Sequence, residues 1–237
     1  VFFAAAYFAI GFASGFGTNL SYAKVGNQNQ LIYALKNGGN FRLTNDINFD
    51  QEVCFAGFSG VLDGNNKTIY ISKFADWFVL NNNGTIKNLN VVVGSIDKQT
   101  DKSFSLLVGT NNGTLQNVGI SCDSLKLTCN KSKDANIYVN GFANHNNGYI
   151  KDCALSLNAN VVGNLDGECF VAGFAGTNSG TISGCEFKAN SSLLTAEADV
   201  CGIATDNSFG ANVSSCKNFA AISQSSKIDD WSPNASG

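Results

Sequence analysis

The sequence predicts an all-β solenoid, a stack of parallel strands in which each repeat makes one turn, with a short helix over its N-terminal end. Three observations predict it. The phrase at residues 170–188, FVAGFAGTNSGTISGCEFK, returns in the same order of residue types at 77–89, 106–118, 141–153 and, with one inserted residue, 202–216. Matching places in these copies form four apolar files. The first holds Phe78, Leu107, Phe142, Phe174 and Ile203, and the second Ile86, Leu115, Ile150, Ile182 and Val213. The third holds Leu89, Val118, Cys153, Cys185 and Cys216, and the fourth Val91, Ile120, Leu155 and Phe187, with Phe219 one place late. The fourth file follows the third by two residues, the period of a strand with one face turned inward, and nothing recurs at the helical spacing of three and four. Such files stack only if each repeat winds once around a shared interior.

Composition bounds the rest. One repeating unit over most of the 237 residues argues for one large domain rather than two small ones. A formal charge of −3 and a pI near 5.0 leave no basic footprint for nucleic acid. The balance is also too weak to predict disorder.

Residues 1–23 carry no charge and are apolar through Gly17. Three readings stand for this segment. It can be a secretory leader with a small-x-small site at Ser21, Tyr22 and Ala23. It can be a membrane anchor, although the apolar run is shorter than the ~20 residues a spanning helix needs. It can also be a mature assembly segment that packs on this subunit or a neighbour. Residues 24–40 form the predicted capping-helix region. Asn27 or Asn29 can cap the helix, Leu31, Ala34 and Leu35 share one face, and Gly38 with Gly39 stops it. The alternating run from Phe41 to Phe49 is the first strand of a repeat region spanning 41–222, and 223–237 is a polar tail.

Between the first and second files each repeat turns at an Asn-Gly or Ser-Gly tip, where glycine is expected to supply a positive φ. Four residues before the second-file position stand Asn65, Asn82, Asn111, Asn146 and Asn178, expected to form a ladder of side-chain amide hydrogen bonds from coil to coil. Counted from Ile69, successive second-file positions are 17, 29, 35, 32 and 31 residues apart. The longer spacings predict loops leaving the stack around 95–104, 122–137, 159–169 and 190–199.

Eight cysteines in a chain of secretory character favour disulfides over metal. Cys122 and Cys129, within one predicted loop, are the first candidate pair. Cys153, Cys185 and Cys216 share an inward file whose neighbours lie ~4.8 Å apart, within the Cα range of a disulfide. They read equally well as small buried apolar side chains. Cys54, Cys169 and Cys201 have no assigned partner. Asn-x-Ser/Thr triplets stand at Asn19, Asn66, Asn83, Asn112, Asn130, Asn190, Asn212 and Asn234. They accept glycans only in a glycosylating compartment. Asn66, Asn83 and Asn112 fall in one file, too crowded for full occupancy, and read equally as turn chemistry; Asn130 and Asn190 in loops are the better acceptors.

The phrases FRLTNDINF, FSGVLDGNNKTI, GFANHNNGYIKDC and GFAGTNSGTISGC resemble the GLUG-type repeats of secreted surface proteins. More broadly, residues 24–222 resemble the right-handed parallel β-helix of the pectin-lyase-like superfamily. The resemblance implies a single-stranded, right-handed coil. Phe in place of the usual Leu-Val pair and the drifting period are departures from it. Activity does not travel with such a fold.

A lyase or hydrolase on this scaffold would want carboxylates clustered on an outer face. The outward places read Lys87-Asn88, Gln116-Asn117, Lys151-Asp152, Ser183-Gly184 and Ser214-Ser215, where no two carboxylates stack. Arg42 is the sole arginine, and His145, the sole histidine, reads as a solvated turn residue. Asp46 and Asp63 are expected to accept backbone N–H bonds at turns. Thr68, Thr85, Thr114, Tyr149 and Thr181 form one outward file that strand preference explains. The expectation is therefore a secreted or cell-surface structural or adhesive protein without cofactor, metal or catalytic residues, self-assembly through residues 1–17 being a sub-hypothesis. Its expected partners are itself, other surface proteins and glycans, not nucleic acid, with membrane contact only if residues 1–23 are retained as an anchor. The alternatives are a carbohydrate-active enzyme and a fragment of a longer adhesin.

Overall fold

Parallel pairing dominates the computed structural model, which describes residues 21–52, 54–130, 136–163 and 169–224. The apolar leader through Gly17, Asn19, Asn234 and the tail beyond Gln224 lie outside the described residues. Within them the chain is all-β with one helix, Gln28–Asn37, and every strand pair is parallel. Three sheets form, of fifteen, six and four strands.

Each later repeat contributes to each sheet in turn. The repeat that begins at strand Ile137–Asn140 in the four-stranded sheet continues as Ala143–Asn146 in the six-stranded sheet. It then enters the large sheet as Tyr149–Lys151 and Ala154–Val162. Strands Cys169–Ala172, Ala175–Asn178, Thr181–Ser183, Glu186–Phe187 and Ser192–Ala196 repeat the course one level on, in register. Identical places thus sit over one another, as the apolar files require. Leu62, Ile86, Leu115, Ile150, Ile182 and Val213 are direct register partners. All but Val213 are buried. The Phe142 and Phe174 rings stack with centroids 4.9 Å apart at 17°, and burying such rings with the aliphatic files beside them stabilises the stack.

The helix packs chiefly against strand Phe55–Phe58. Asn27 Oδ1 accepts from the Gln30 N–H at 3.0 Å, Gly38 closes the other end at φ 69°, and Leu31, Ala34 and Leu35 are buried. Stacking starts before the helix, since strand Ala23–Val25 pairs with Phe41, Arg42 and Leu43.

Three expectations are corrected. The stretches predicted as loops mostly add further rungs, as strands Ile96–Thr100, Thr114–Cys129, Ala154–Val162 and Ser192–Ala196. The reason is an alternation that continues past the fourth file: Leu125, Leu127 and Cys129 are buried, as are Leu157, Ala159 and Val161. The tip glycines Gly84, Gly113, Gly148 and Gly180 do not serve by positive φ, whereas Gly210 in the last repeat does, at φ 86°. A Cβ on Gly113 would lie 2.0 Å from the Gly84 carbonyl oxygen, and one on Gly148 2.0 Å from that of Gly113, so close backbone approach excludes any side chain. Positive φ falls instead on the corner residues Asn88, Asn117, Asp152, Gly184 and Ser215, between 51° and 64°. The fourth file ends in Asn218, the register partner of Phe187, and Phe219 turns outward, 54% exposed.

Candidate functional site

Three polar files run along the stack, and the innermost is the asparagine ladder. Asn82 Nδ2 donates to Asn111 Oδ1 at 2.8 Å, and Asn111 Nδ2 to Asn146 Oδ1 at 2.8 Å. Asn146 Nδ2 donates to Asn178 Oδ1 at 2.7 Å, and Asn178 Nδ2 to Asn207 Oδ1 at 2.7 Å. Asn65 lies outside this file. It sits in an irregular stretch of strand Gly60–Ile71, where three residues between Asp63 and Lys67 face one, and the partner of Asn82 is Phe58. Asn207 takes the last rung instead. It stands three residues after Ala204 as Asn178 stands after Ala175, a spacing the insertion after it leaves intact.

The second file is exposed: Asn112 Nδ2 donates to Asn83 Oδ1, and Asn147 Nδ2 to Asn112 Oδ1, each at 2.9 Å. Of the glycosylation triplets, Asn83 and Asn112 therefore share one ladder, whereas Asn66 sits in the irregular stretch at φ 58° and is not a member. Asn130 Nδ2 donates to Gln99 Oε1 at 2.7 Å, Asn190 is exposed, and Asn212 is exposed opposite Thr181. Likewise Thr68 faces Asn90, and Val61 takes its place in the file of Thr85, Thr114, Tyr149 and Thr181.

The third file follows the left-handed corners. Asn117 Nδ2 donates to Asn88 Oδ1 at 2.9 Å, and Asn88 Nδ2 to Asp63 Oδ1 at 3.1 Å. Asp63 is the buried terminus of this chain. Its Oδ1 also accepts from the Asn65 N–H at 3.0 Å, and its Oδ2 from Arg42 Nη2 at 2.9 Å. Burial alone would raise its pKa, but the hydrogen bonds from Asn65, Asn88 and Arg42 and the arginine's charge outweigh it and hold the carboxyl below its ordinary value. Asp46 also accepts a backbone N–H, from Thr68 at 2.8 Å.

No disulfide joins the predicted cysteine candidates. Cys122 and Cys129 lie on one continuous strand, Thr114–Cys129, and seven residues of extended chain separate their Cα atoms by about 20 Å, far beyond a disulfide's reach. Cys153, Cys185 and Cys216 do share one file, but in a parallel register their Cβ atoms keep the ~4.8 Å strand spacing, wider than the ~3.8 Å a disulfide wants. Each thiol donates instead to a carbonyl two residues back, those of Lys151, Ser183 and Ser214, at 3.1, 3.4 and 3.4 Å. The neighbouring thiol of Cys153 is the first cause, with burial, that pushes Cys185 up to about 12.

Among the described residues, concavities on the outer faces include one on the large sheet and one beside the six-stranded sheet. A trough of about 370 Å³ on the large sheet is floored by Gly119 and Ala154 and edged by Tyr70, Asn90, Ser156 and Lys188. A cleft of about 400 Å³ opens beside the six-stranded sheet, lined by Trp77, Asp101, Lys102, Thr110, Asn144 and His145. His145 is not a solvated turn residue. It lies in strand Ala143–Asn146, its Nδ1 is 2.8 Å from Thr177 Oγ1, and burial lowers its pKa. The Tyr138 ring packs edge-on against it at 5.4 Å and stacks on Phe170 at 5.4 Å. Sequence reasoning missed this cleft because Asp101, Lys102 and Asn136 lie between strands, where no spacing along the chain shows which wall they join.

No protein-family model matches the chain, so its likeness to GLUG-type repeats has no support from one. No curated protein sequence matches it either. Among solved structures, a chain titled L. reuteri 53608 SRRP aligns with 85% of this chain and 98% of its own at 10% identity and a TM-score of 0.28, a likeness too low to carry an argument.

Proposed function

We propose that the chain is a secreted or cell-surface structural and adhesive protein, a single-stranded right-handed parallel β-helix whose stiff coil displays a glycan-binding cleft. The observation that carries the adhesive reading is the cleft itself. Trp77 offers an aromatic face, and Asp101, Lys102, Thr110 and Asn144 offer donors and acceptors for hydroxyl groups. Stiffness follows from hydrogen-bonded strands on every level and from the buried amide ladder, which resists bending between coils. The GLUG-type resemblance supports the same reading for the winding and for the surface location.

Binding is favoured over turnover within this cleft. Glycoside hydrolysis ordinarily uses two carboxyl groups flanking the scissile bond, and among the described residues Asp101 is the one carboxylate in the lining. The trough on the large sheet is lined by no carboxylate. Titration of the purified protein with a panel of oligosaccharides tests the proposal. A retained ligand, weakened at least about tenfold by Trp77→Ala or Lys102→Ala, is the expected result. Absence of any bound glycan on a folded protein would overturn the adhesive reading, and release of reducing ends would replace it with the enzyme.

A further inference from the structure

We propose that Cys129 and Cys169 are a disulfide-forming pair that staples two successive coils at the corner between the large and the four-stranded sheets. Their sulfurs lie 3.4 Å apart, a non-bonded contact, although 39 residues intervene in sequence. Cys129 ends strand Thr114–Cys129, and Cys169 opens strand Cys169–Ala172 one coil later. The two side chains therefore meet across the interior rather than along a file. That difference of direction matters. In-register thiols such as Cys153 and Cys185 point the same way and keep the strand spacing, whereas side chains from two sheets converge and can close to the ~2.05 Å of a covalent bond with a shift of about 1.4 Å.

Both residues are buried, at 2% and 3% exposure, so the bond forms while this corner is still open during folding. The chemistry needs an oxidant, and a small-molecule disulfide such as oxidised glutathione supplies it. In this scheme Cys129 is the attacking group and Cys169, whose sulfur it meets at 3.4 Å in the folded corner, the resolving one. The thiolate attacks one sulfur of the oxidant, forming a mixed disulfide and expelling one small thiolate. Deprotonated Cys169 then attacks the Cys129 sulfur and expels the second. In total two protein thiols lose two protons and two electrons, and one oxidant disulfide becomes two small thiols. Once the corner packs, the same burial keeps reductants out.

The test is a peptide map under non-reducing conditions after refolding the whole chain in a buffer of reduced and oxidised glutathione. The expected result is one cross-linked peptide pair joining Cys129 to Cys169, with two of the eight thiols lost together, and cleavage by reductant at least about tenfold slower in the folded than in the denatured protein. Cys129→Ala and Cys169→Ala should each abolish that cross-link, while Cys122→Ala leaves it. The wild-type map alone decides if either variant fails to fold. Recovery of all eight thiols, or of cross-links dominated by other cysteines, would overturn the proposal.

Discussion

Asn111 Nδ2 donates to Asn146 Oδ1 at 2.8 Å, and neither side chain reaches solvent. A buried amide is tolerable only with its partners present, because an unmet donor or acceptor in the interior costs about 1–3 kcal/mol. Asn146 both accepts from Asn111 and donates to Asn178. Asn146→Ala should thus leave one Asn111 Nδ2 hydrogen unmet, while Asn178 Oδ1 keeps its bond from the Gly180 N–H at 3.3 Å, and cost about 1–3 kcal/mol in urea unfolding. Asn112→Ala, in the exposed ladder one residue along, should cost no more than about 0.5 kcal/mol. Equal losses would show that the inner ladder adds no more than the outer one.

The inner files were legible because burial imposes a period on the sequence. Ile86, Leu115, Ile150 and Ile182 had to be apolar whatever the turns between them did. Asn82, Asn111, Asn146 and Asn178 were legible for the same reason, since one rung fixes the next. Asn65 was misread because the irregular stretch after Asp63 shifts the register, and no local residue type announces such a shift. The extra rungs at Leu125, Leu127 and Cys129 alternated visibly, yet variable repeat length disguised them as loops. The Cys129 to Cys169 contact was illegible in principle. It depends on the angle between two sheets, which no spacing along the chain encodes.

Gly113 tests the close approach of neighbouring turns. A methyl group there would lie 2.0 Å from the Gly84 carbonyl oxygen, and backbone rather than a yielding side chain stands in its way. Gly113→Ala should destabilise by about 3 kcal/mol or more. At Gly94 the nearest atom to an added Cβ is 3.5 Å away, so Gly94→Ala should stay within about 0.5 kcal/mol. Thermal melts of the two variants side by side separate packing from any general intolerance of alanine.

Asp63 predicts an acid limb in the stability profile. Its folded pKa is lowered, so the unfolded chain binds its proton first as pH falls. The stabilisation is fully present above the unfolded value near 3.9 and is lost as pH falls through that value toward the lower folded one. Asp63→Asn should flatten that part of the curve, and at neutral pH it should lose the ion pair with Arg42 at 2.9 Å. Urea midpoints measured from pH 6 down to about 2.5 provide the check; an unchanged slope in the variant would assign the acid limb to other carboxylates.

Position along the stack should set the cost of a core deletion, because each coil is held chiefly by its two neighbours. Phe174 is fully buried against the Phe142 ring, with Ile203 of the last described coil partly buried beyond it. Truncating it opens a cavity walled on both sides by coils that cannot collapse without breaking register. Phe174→Ala should therefore cost about 3–5 kcal/mol. Phe219 sits one coil on, shifted one residue out of the apolar file, and its ring is half in water. Phe219→Ala should change stability by no more than about 0.5 kcal/mol. Hydrogen exchange resolves the two by location. The Phe174 variant should lose protection in strands Ala143–Asn146 and Ala175–Asn178 together, since they share the interior it vacates, while strand Gly39–Leu43 at the other end stays protected. Uniform loss along the whole chain would mean that the coils unfold as one unit and that nearest-neighbour coupling does not describe them.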